Sequence, residues 1–416
     1  MSLTGNHIIL LNFDFPPNYG IGGRRWAKFA KELASRKIHV HVIKAKSKDG
    51  RNSHWSKDVE SEFIHVIEIK RKAELDRFRT GIFWLDKLGY RLALAANKWM
   101  DPGTPYDMAI GNKEAIQSQI SKLVNTHDVK WIIATGAPFN LLYFAADFIR
   151  LNPRYKLWAD LRDPWLDAKN YGMPQLNSKR KAAEWRKAEI VLKYASVVSC
   201  PTLDAIRIFD TIDNGKYSKN LLELRHFFDP KDFDIRTTNV SSNKIKVVYG
   251  GDIYPGAERF VHQMLEDLRQ LKKDFLEVYN RMDIRFYSDS FSKVQTSFSD
   301  LEVVHIGPSI GENIFDEIAN SDWCIILLTD FNRHFFTTKY FEYQPFEKPF
   351  LYLGPEGKVS NEIRDQKAGL NWEEFLKELR TADWSTLKHF ERGSSSRTGS
   401  LQVRTDELLE KISEFD

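Results

Sequence analysis

Twice in this chain an apolar run goes straight into a glycine-containing loop and then into a helix-period pattern. This repeated junction limits the possible folds more than any other feature. The first copy is His7–Phe13 (HIILLNF), the loop Asp14–Gly23 (DFPPNYGIGG) and the helix pattern Arg24–Arg36, with Ile38–Ile43 (IHVHVI) as the next strand. The second is Lys244–Tyr249 (KIKVVY), the loop Gly250–Gly256 and a helix pattern from Glu258. Strand, loop, helix and strand in that order predict parallel strands joined by helical crossovers. Further strands are predicted at Glu62–Ile69, Trp131–Thr135, Lys156–Leu161, Ser196–Pro201 and Leu221–His226, with helices at Phe139–Arg150 and Lys179–Tyr194. After the second junction, strands are predicted at Ile284–Tyr287, Val303–Ile306 and Cys324–Leu328.

The two blocks are separated by a polar stretch. The expected organisation is therefore an α/β chain with an N-terminal Rossmann-like domain over 1–228, a linker over 229–243 and a C-terminal Rossmann-like domain over 244–392. A terminal helix over 393–416, with Leu401, Leu408, Leu409 and Ile412 on one stripe, is expected to return to the first domain. The 416 residues suffice for two such domains. Lys and Arg number 61 against 57 Asp and Glu, which argues against a nucleic-acid partner. Two cysteines, Cys200 and Cys324, lie far apart in apolar runs, and that count excludes a disulfide framework or a cysteine zinc site. With no long apolar run and no leader-like start, a cytoplasmic protein is expected.

One segment resists a single reading. Lys70–Met100 interleaves Arg71, Lys72, Arg77, Arg79 and Arg91 with Phe78, Phe83, Trp84, Tyr90 and Trp99. The preferred reading is a helix packed on its domain, with Leu85, Leu88, Leu92 and Ala95 as the core stripe. The other is peripheral contact with the anionic inner face of a membrane, or with an extended or lipid-linked ligand.

The residues that carry chemistry cluster in three places. Thr337–Gly357 (TTKYFEYQPFEKPFLYLGPEG) is a short helix pattern, a Glu-Lys-Pro break and an apolar strand. A loop leading into a helix offers backbone N–H groups to a phosphate, and Thr337, Thr338 and Lys339 sit there. Glu342, one turn later, is placed for ribose hydroxyls; an ordinary αβ unit with a solvated glutamate fits the spacing equally well. The second place is Asp160–Trp165 (DLRDPW), where Arg162 and Asp163 fall beyond a strand C-terminus. The third is the pair of glycine loops: Gly20, Gly22 and Gly23 with Arg24 in the first, Gly251 and Tyr254 in the second. The first does not make the G-x-G-x-x-G fingerprint of nicotinamide cofactors. Cations at Arg24 and Arg25 oppose a helix dipole, so either they bind an anion, which is the preferred reading, or they are simply solvated. Asp232-Phe233-Asp234 falls in the linker and reads as chance, so no metal site is expected.

The pattern T-K-x-F-E-Y-x-x-x-x-K-P followed by an apolar strand and G-P-E-G resembles the donor segment of GT-B glycosyltransferases, family 4 above all. The Phe-Pro-Pro-x-x-Gly loop and the Arg-Asp-Pro-Trp run resemble segments of the same family. That resemblance implies two domains facing across a cleft, with Thr338 and Lys339 at the donor diphosphate and Glu342 at the ribose. Arg259, Tyr254 and Gly251 would lie near the phosphates, Gly307 at the base, and Arg162 and Asp163 at the acceptor and departing sugar. His334 stands where many relatives have an earlier glutamate. The implied activity is retaining, metal-independent transfer of a sugar from a nucleotide-sugar substrate to a saccharide or lipid-linked acceptor, with no cofactor. A nucleotide-sugar epimerase and a non-catalytic carbohydrate-binding scaffold remain as alternatives.

Overall fold

Buried on both faces, a central parallel strand needs a continuous apolar run, as at His7–Leu11, and seven parallel strands form the first sheet of the computed structural model. The structure describes residues 6–18, 21–47, 53–73, 75, 84–166, 171–205, 209, 220–233, 242–290, 299–381, 384–393 and 399–415. Strands β1 (His7–Leu11), β2 (His39–Ala45), β3 (Ile64–Ile69), β4 (Val129–Gly136), β5 (Lys156–Leu161), β6 (Val197–Cys200) and β7 (Leu221–Glu223) lie in the order β3-β2-β1-β4-β5-β6-β7, all parallel. The second sheet comprises β8 (Ile245–Gly250), β9 (Met282–Tyr287), β10 (Val304–Gly307), β11 (Trp323–Leu327), β12 (Phe350–Leu353) and β13 (Gly369–Asn371). Its order is β10-β9-β8-β11-β12-β13, again all parallel.

Contacts divide the chain into two units: Met1–Arg225 with Leu401–Asp416, and His226–Ser400. In the first, Ile9, Leu11, Ile132, Leu157 and Val198 from the strands meet Leu142, Phe144 and Val191 of the covering helices Asn140–Leu151 and Ser178–Tyr194. The Leu401–Ser413 helix belongs to this unit, with Arg36 Nη1 2.5 Å from Asp406 and Phe415 edge-on to Trp131. In the second, Val247, Ile284, Ile325 and Leu351 pack against Met264, Leu265 and Leu268 of the Glu258–Asp274 helix on one face. Tyr340, Phe341 and Tyr343 fill the other. Cys200 and Cys324 are both free and buried. Part of the polar stretch, 234–241, including Asp234, lies outside the described residues.

Helix α1 (Arg24–Ser35) corrects the expectation of an external anion at its start. The anion is the chain's own Asp160, at the other end of a contact 135 residues long. Arg25 donates from Nε and Nη2 to its carboxylate at 3.2 and 3.4 Å, and to the Leu224 carbonyl at 2.6 Å. Trp26 Nε1 and Ser199 Oγ each add a 2.7 Å bond to the same carboxylate. A buried carboxylate needs several donors, and here they fix α1 to the ends of β5 and β6.

Helix α2 (Trp84–Met100) corrects a second one. Leu85, Leu88 and Leu92 are exposed, as are Trp84 and Trp99 at 70% and 88%, while the polar Asn97 is the buried residue. Asn97 Nδ2 bonds the Pro105 carbonyl at 2.8 Å and Arg180 Nη2 the Lys98 carbonyl at 2.8 Å, so polar bonds hold the last turn of the helix. Residues 76–83, with Arg77, Phe78, Arg79 and Phe83, lie outside the described residues. Among the described residues no helix is long and apolar enough to cross a membrane.

Candidate functional site

In an open parallel sheet, ligands collect beyond the strand C-termini where the strand order reverses. In the second sheet that point lies between β8 and β11, and Gly250-Gly251 closes β8 there. Gly251 has φ +131, a conformation that disfavours any side chain, and an added Cβ would stand 2.5 Å from Lys339 Nζ. Lys339 is therefore laid directly on the glycine turn, its ammonium 5.8 Å from the centre of the Tyr249 ring. Tyr249 in turn donates to the Asp252 carbonyl at 2.7 Å, and Tyr343 to the Gly250 carbonyl at 3.2 Å. These contacts lock the Thr338–Glu342 helix against the end of β8.

The Lys339 ammonium makes no hydrogen bond among the described residues. Burial pulls its pKa below the ordinary lysine value, opposed in part by the carboxylates of Glu342 and Asp252. A half-buried cation beside a backbone turn, with carboxylates near but not in contact, is the chemistry of an anion seat. Glu342 is half-buried on the next turn.

Other expected donor residues fare differently. Thr337 is the helix N-cap: its Oγ1 accepts from Lys339 N at 3.0 Å, so it serves the helix rather than standing free for a phosphate. Thr338 opens the helix, which is only five residues long, so its dipole is weak. Arg259 is exposed and pairs with Asp330 at 2.5 Å, bridging from the start of the Glu258–Asp274 helix to the loop after β11. Tyr254 is more than half exposed. Gly307 ends β10, two strands away from β8, where a Cβ would find ordinary contact with Tyr287 at 3.4 Å. His334 is exposed.

In the first sheet the equivalent reversal lies between β1 and β4, and the loop 12–23 follows β1. Gly23 is required by packing, because a Cβ there would lie 2.3 Å from the Asp14 carbonyl oxygen. Arg162 donates to the carbonyls of Gly22 and, at 2.9 Å, Ala137, and meets Asp163 at 3.4 Å. Its donors thus tie the β1 loop to the end of β4, which makes it a positioning residue. Asp163 keeps its carboxylate 44% exposed. Arg24 is buried, its guanidinium 5.9 Å from the centre of the Trp55 ring. Gly20 lies outside the described residues. Trp165 is core, stacked on Phe139 at 5.2 Å and donating to Glu184 at 2.8 Å.

Sequence reasoning missed a buried polar network at the same end. Lys187 Nζ reaches Asp101, Asn140 and Glu184 at 2.7, 2.8 and 3.0 Å. Asp107 accepts the backbone N–H groups of Ala109 and Asn140 at 2.9 and 3.0 Å, and burial still pushes its pKa up to about 6. The members come from three separated segments, 101–109, 140 and 184–187, so no local spacing signals it.

No family model matches the chain, and no curated protein does. Solved structures do. A glycosyltransferase from Rickettsia africae ESF-5 is similar over 99% of both chains, at 15% identity and a TM-score of 0.61. An E. coli structure described as trehalose-6-phosphate bound with UDP-2-fluoro glucose is similar over 99% of this chain and 96% of that one, at 11% identity and 0.58. The catalytic domain of starch synthase IV from Arabidopsis thaliana, bound to ADP and acarbose, is similar over 99% of both chains, at 11% and 0.54. At these identities the likeness establishes the fold, which is GT-B: two Rossmann-like parallel-sheet units.

Proposed function

We propose that this chain is a glycosyltransferase that takes its sugar from a nucleoside diphosphate donor held at the C-terminal edge of the second sheet. The observation that carries the reading is Lys339: a half-buried ammonium without a hydrogen-bond partner among the described residues, set on the Gly250-Gly251 turn at the switch point. Its charge suits the donor diphosphate, whose negative charge grows as the anomeric C–O bond breaks. Glu342 is assigned to the ribose hydroxyls. The acceptor is assigned to the C-terminal edge of the first sheet, where Asp163 offers an exposed carboxylate and Arg162 holds the loops in place. Retention of configuration, independence from a metal and a hexosyl donor rest on the resemblance to family 4.

Helix α2 bears on the acceptor. Its exposed Trp84, Leu85, Leu88, Leu92 and Trp99 share the helix with Lys87, Arg91 and Lys98. Such a surface suits the boundary of an anionic membrane, and favours a lipid-linked acceptor.

Calorimetry with UDP, ADP and GDP tests the donor seat. One of them is expected to bind, and Lys339→Ala to weaken it by about 10- to 100-fold, the worth of a charge-assisted contact. Glu342→Ala is expected to lose about 10-fold for the nucleotide, and less for inorganic pyrophosphate, which has no ribose. Unchanged affinity in Lys339→Ala defeats the reading.

A further inference from the structure

The opposite, N-terminal edge of the first sheet carries a group of imidazoles that sugar transfer does not use. Five of the chain's eleven histidines meet there. His7 opens β1; His39 and His41 are two apart on β2 and so face the same side; His65 lies on β3 in register with His41; His127 precedes β4. The rings stack with centroids 4.4 to 5.3 Å apart. His7 Nδ1 lies 3.0 Å from His41 Nε2, and His39 Nδ1 lies 3.0 Å from His65 Nε2.

One ring nitrogen from each of His7, His41 and His127 falls within 4.8 Å of the other two. Nitrogens bound tetrahedrally to zinc at about 2.0–2.1 Å stand roughly 3.3 Å apart. The His7–His41 pair stands at 3.0 Å, close to that separation, and the His127 nitrogen would have to close in from within 4.8 Å. His41 is 3% exposed and aims Nε2 into the group, while His7 and His127 are half-buried and free to adjust. Asp128 contributes negative charge beside His7.

We propose that His7, His41 and His127 bind one borderline divalent cation of the zinc class, with a fourth position left to solvent. Imidazole-only ligation suits zinc, copper and nickel rather than magnesium or calcium. The ion would cross-link β1, β2 and the start of β4, about 15 Å along the strands from the loops that would receive the acceptor. Its role would be to fasten the sheet, and it is independent of the donor seat.

The test uses the full chain without an affinity tag, stripped with chelator, and titrated with Zn²⁺ and separately with Co²⁺. One equivalent of each is expected to bind, with visible bands of four-coordinate cobalt. Saturating zinc is expected to raise the melting temperature by roughly 5 °C. His7→Gln and His127→Gln, at half-buried positions that leave the core intact, are each expected to weaken zinc by at least about 100-fold and abolish the cobalt bands. Nucleotide affinity measured on the same variants should not move, so the fate of this site and that of the donor seat are read separately. Failure to bind one equivalent, or binding undiminished in both variants, overturns the proposal and leaves a stack of neutral imidazoles joined by N–H···N bonds.

Discussion

Gly251→Ala separates two costs that are usually mixed. At φ +131 the new side chain strains the backbone, and its Cβ would fall 2.4 Å from Lys339 Cε and 2.5 Å from Nζ. Ordinary carbon contacts begin near 3.5 Å, so the end of the lysine must retreat by about 1 Å. That end is flexible and its withdrawal is cheap, so the backbone accounts for the stability loss, about 1–3 kcal/mol. The retreat instead shows up in binding. A charge-assisted contact is worth about 1.5–3 kcal/mol, so nucleoside diphosphate affinity should fall by roughly 10- to 150-fold. Calorimetry on Gly251→Ala, Lys339→Ala and the double variant closes a thermodynamic cycle. If the glycine acts through the lysine, it adds less than about 0.5 kcal/mol once the lysine is gone. Fully additive losses, or wild-type affinity in Gly251→Ala, refute the reasoning.

Two further perturbations address the first unit. Burial pushes the Asp107 carboxyl up to about 6 from the ordinary 3.8, so it contributes stability that is complete below pH 4 and lost as pH rises through 6. The swing is about 3 kcal/mol; urea unfolding of wild type and Asp107→Asn should differ by an amount that changes with pH across that window, and a constant difference would contradict it. For α2, sedimentation with anionic vesicles at low salt should capture the protein, and the Trp84→Ala/Trp99→Ala variant should bind at least 10-fold more weakly, about the effect of one lost buried ring. Equal sedimentation of the two proteins would count against membrane contact.

The sheets were legible because strands buried on both faces leave unbroken apolar runs, as in His7–Leu11 and Ile245–Gly250. Lys339 and Glu342 were legible as a pair because their three-residue spacing survives in the helix. What escaped was partnering over long sequence distances. The rule that cations oppose a helix start correctly demanded an anion for Arg25, but nothing local named Asp160. Trp165 closes the Arg-Asp-Pro-Trp run, and nothing local showed that Phe139 and Glu184 would hold it in the core. The leucines of α2 have the period of a core stripe, yet they are exposed, and the last turn of the helix is held by polar bonds at Asn97 and at the Lys98 carbonyl, the second from Arg180 far along the chain. His39 and His41 were visible as an alternating pair on one strand, but their companions come from β1, β3 and the approach to β4.

The first unit is interrupted: residues 226–400 are spliced between its seventh strand and the helix that seals its flank. On the ribosome the Leu401–Ser413 segment emerges only after the whole inserted unit, so the host must wait half-finished while the guest is free to fold. A chain stopped at Ser400 would leave the α1 surface and Trp131 without their cover, and chaperone dependence should track that exposed seam rather than the length of the polypeptide.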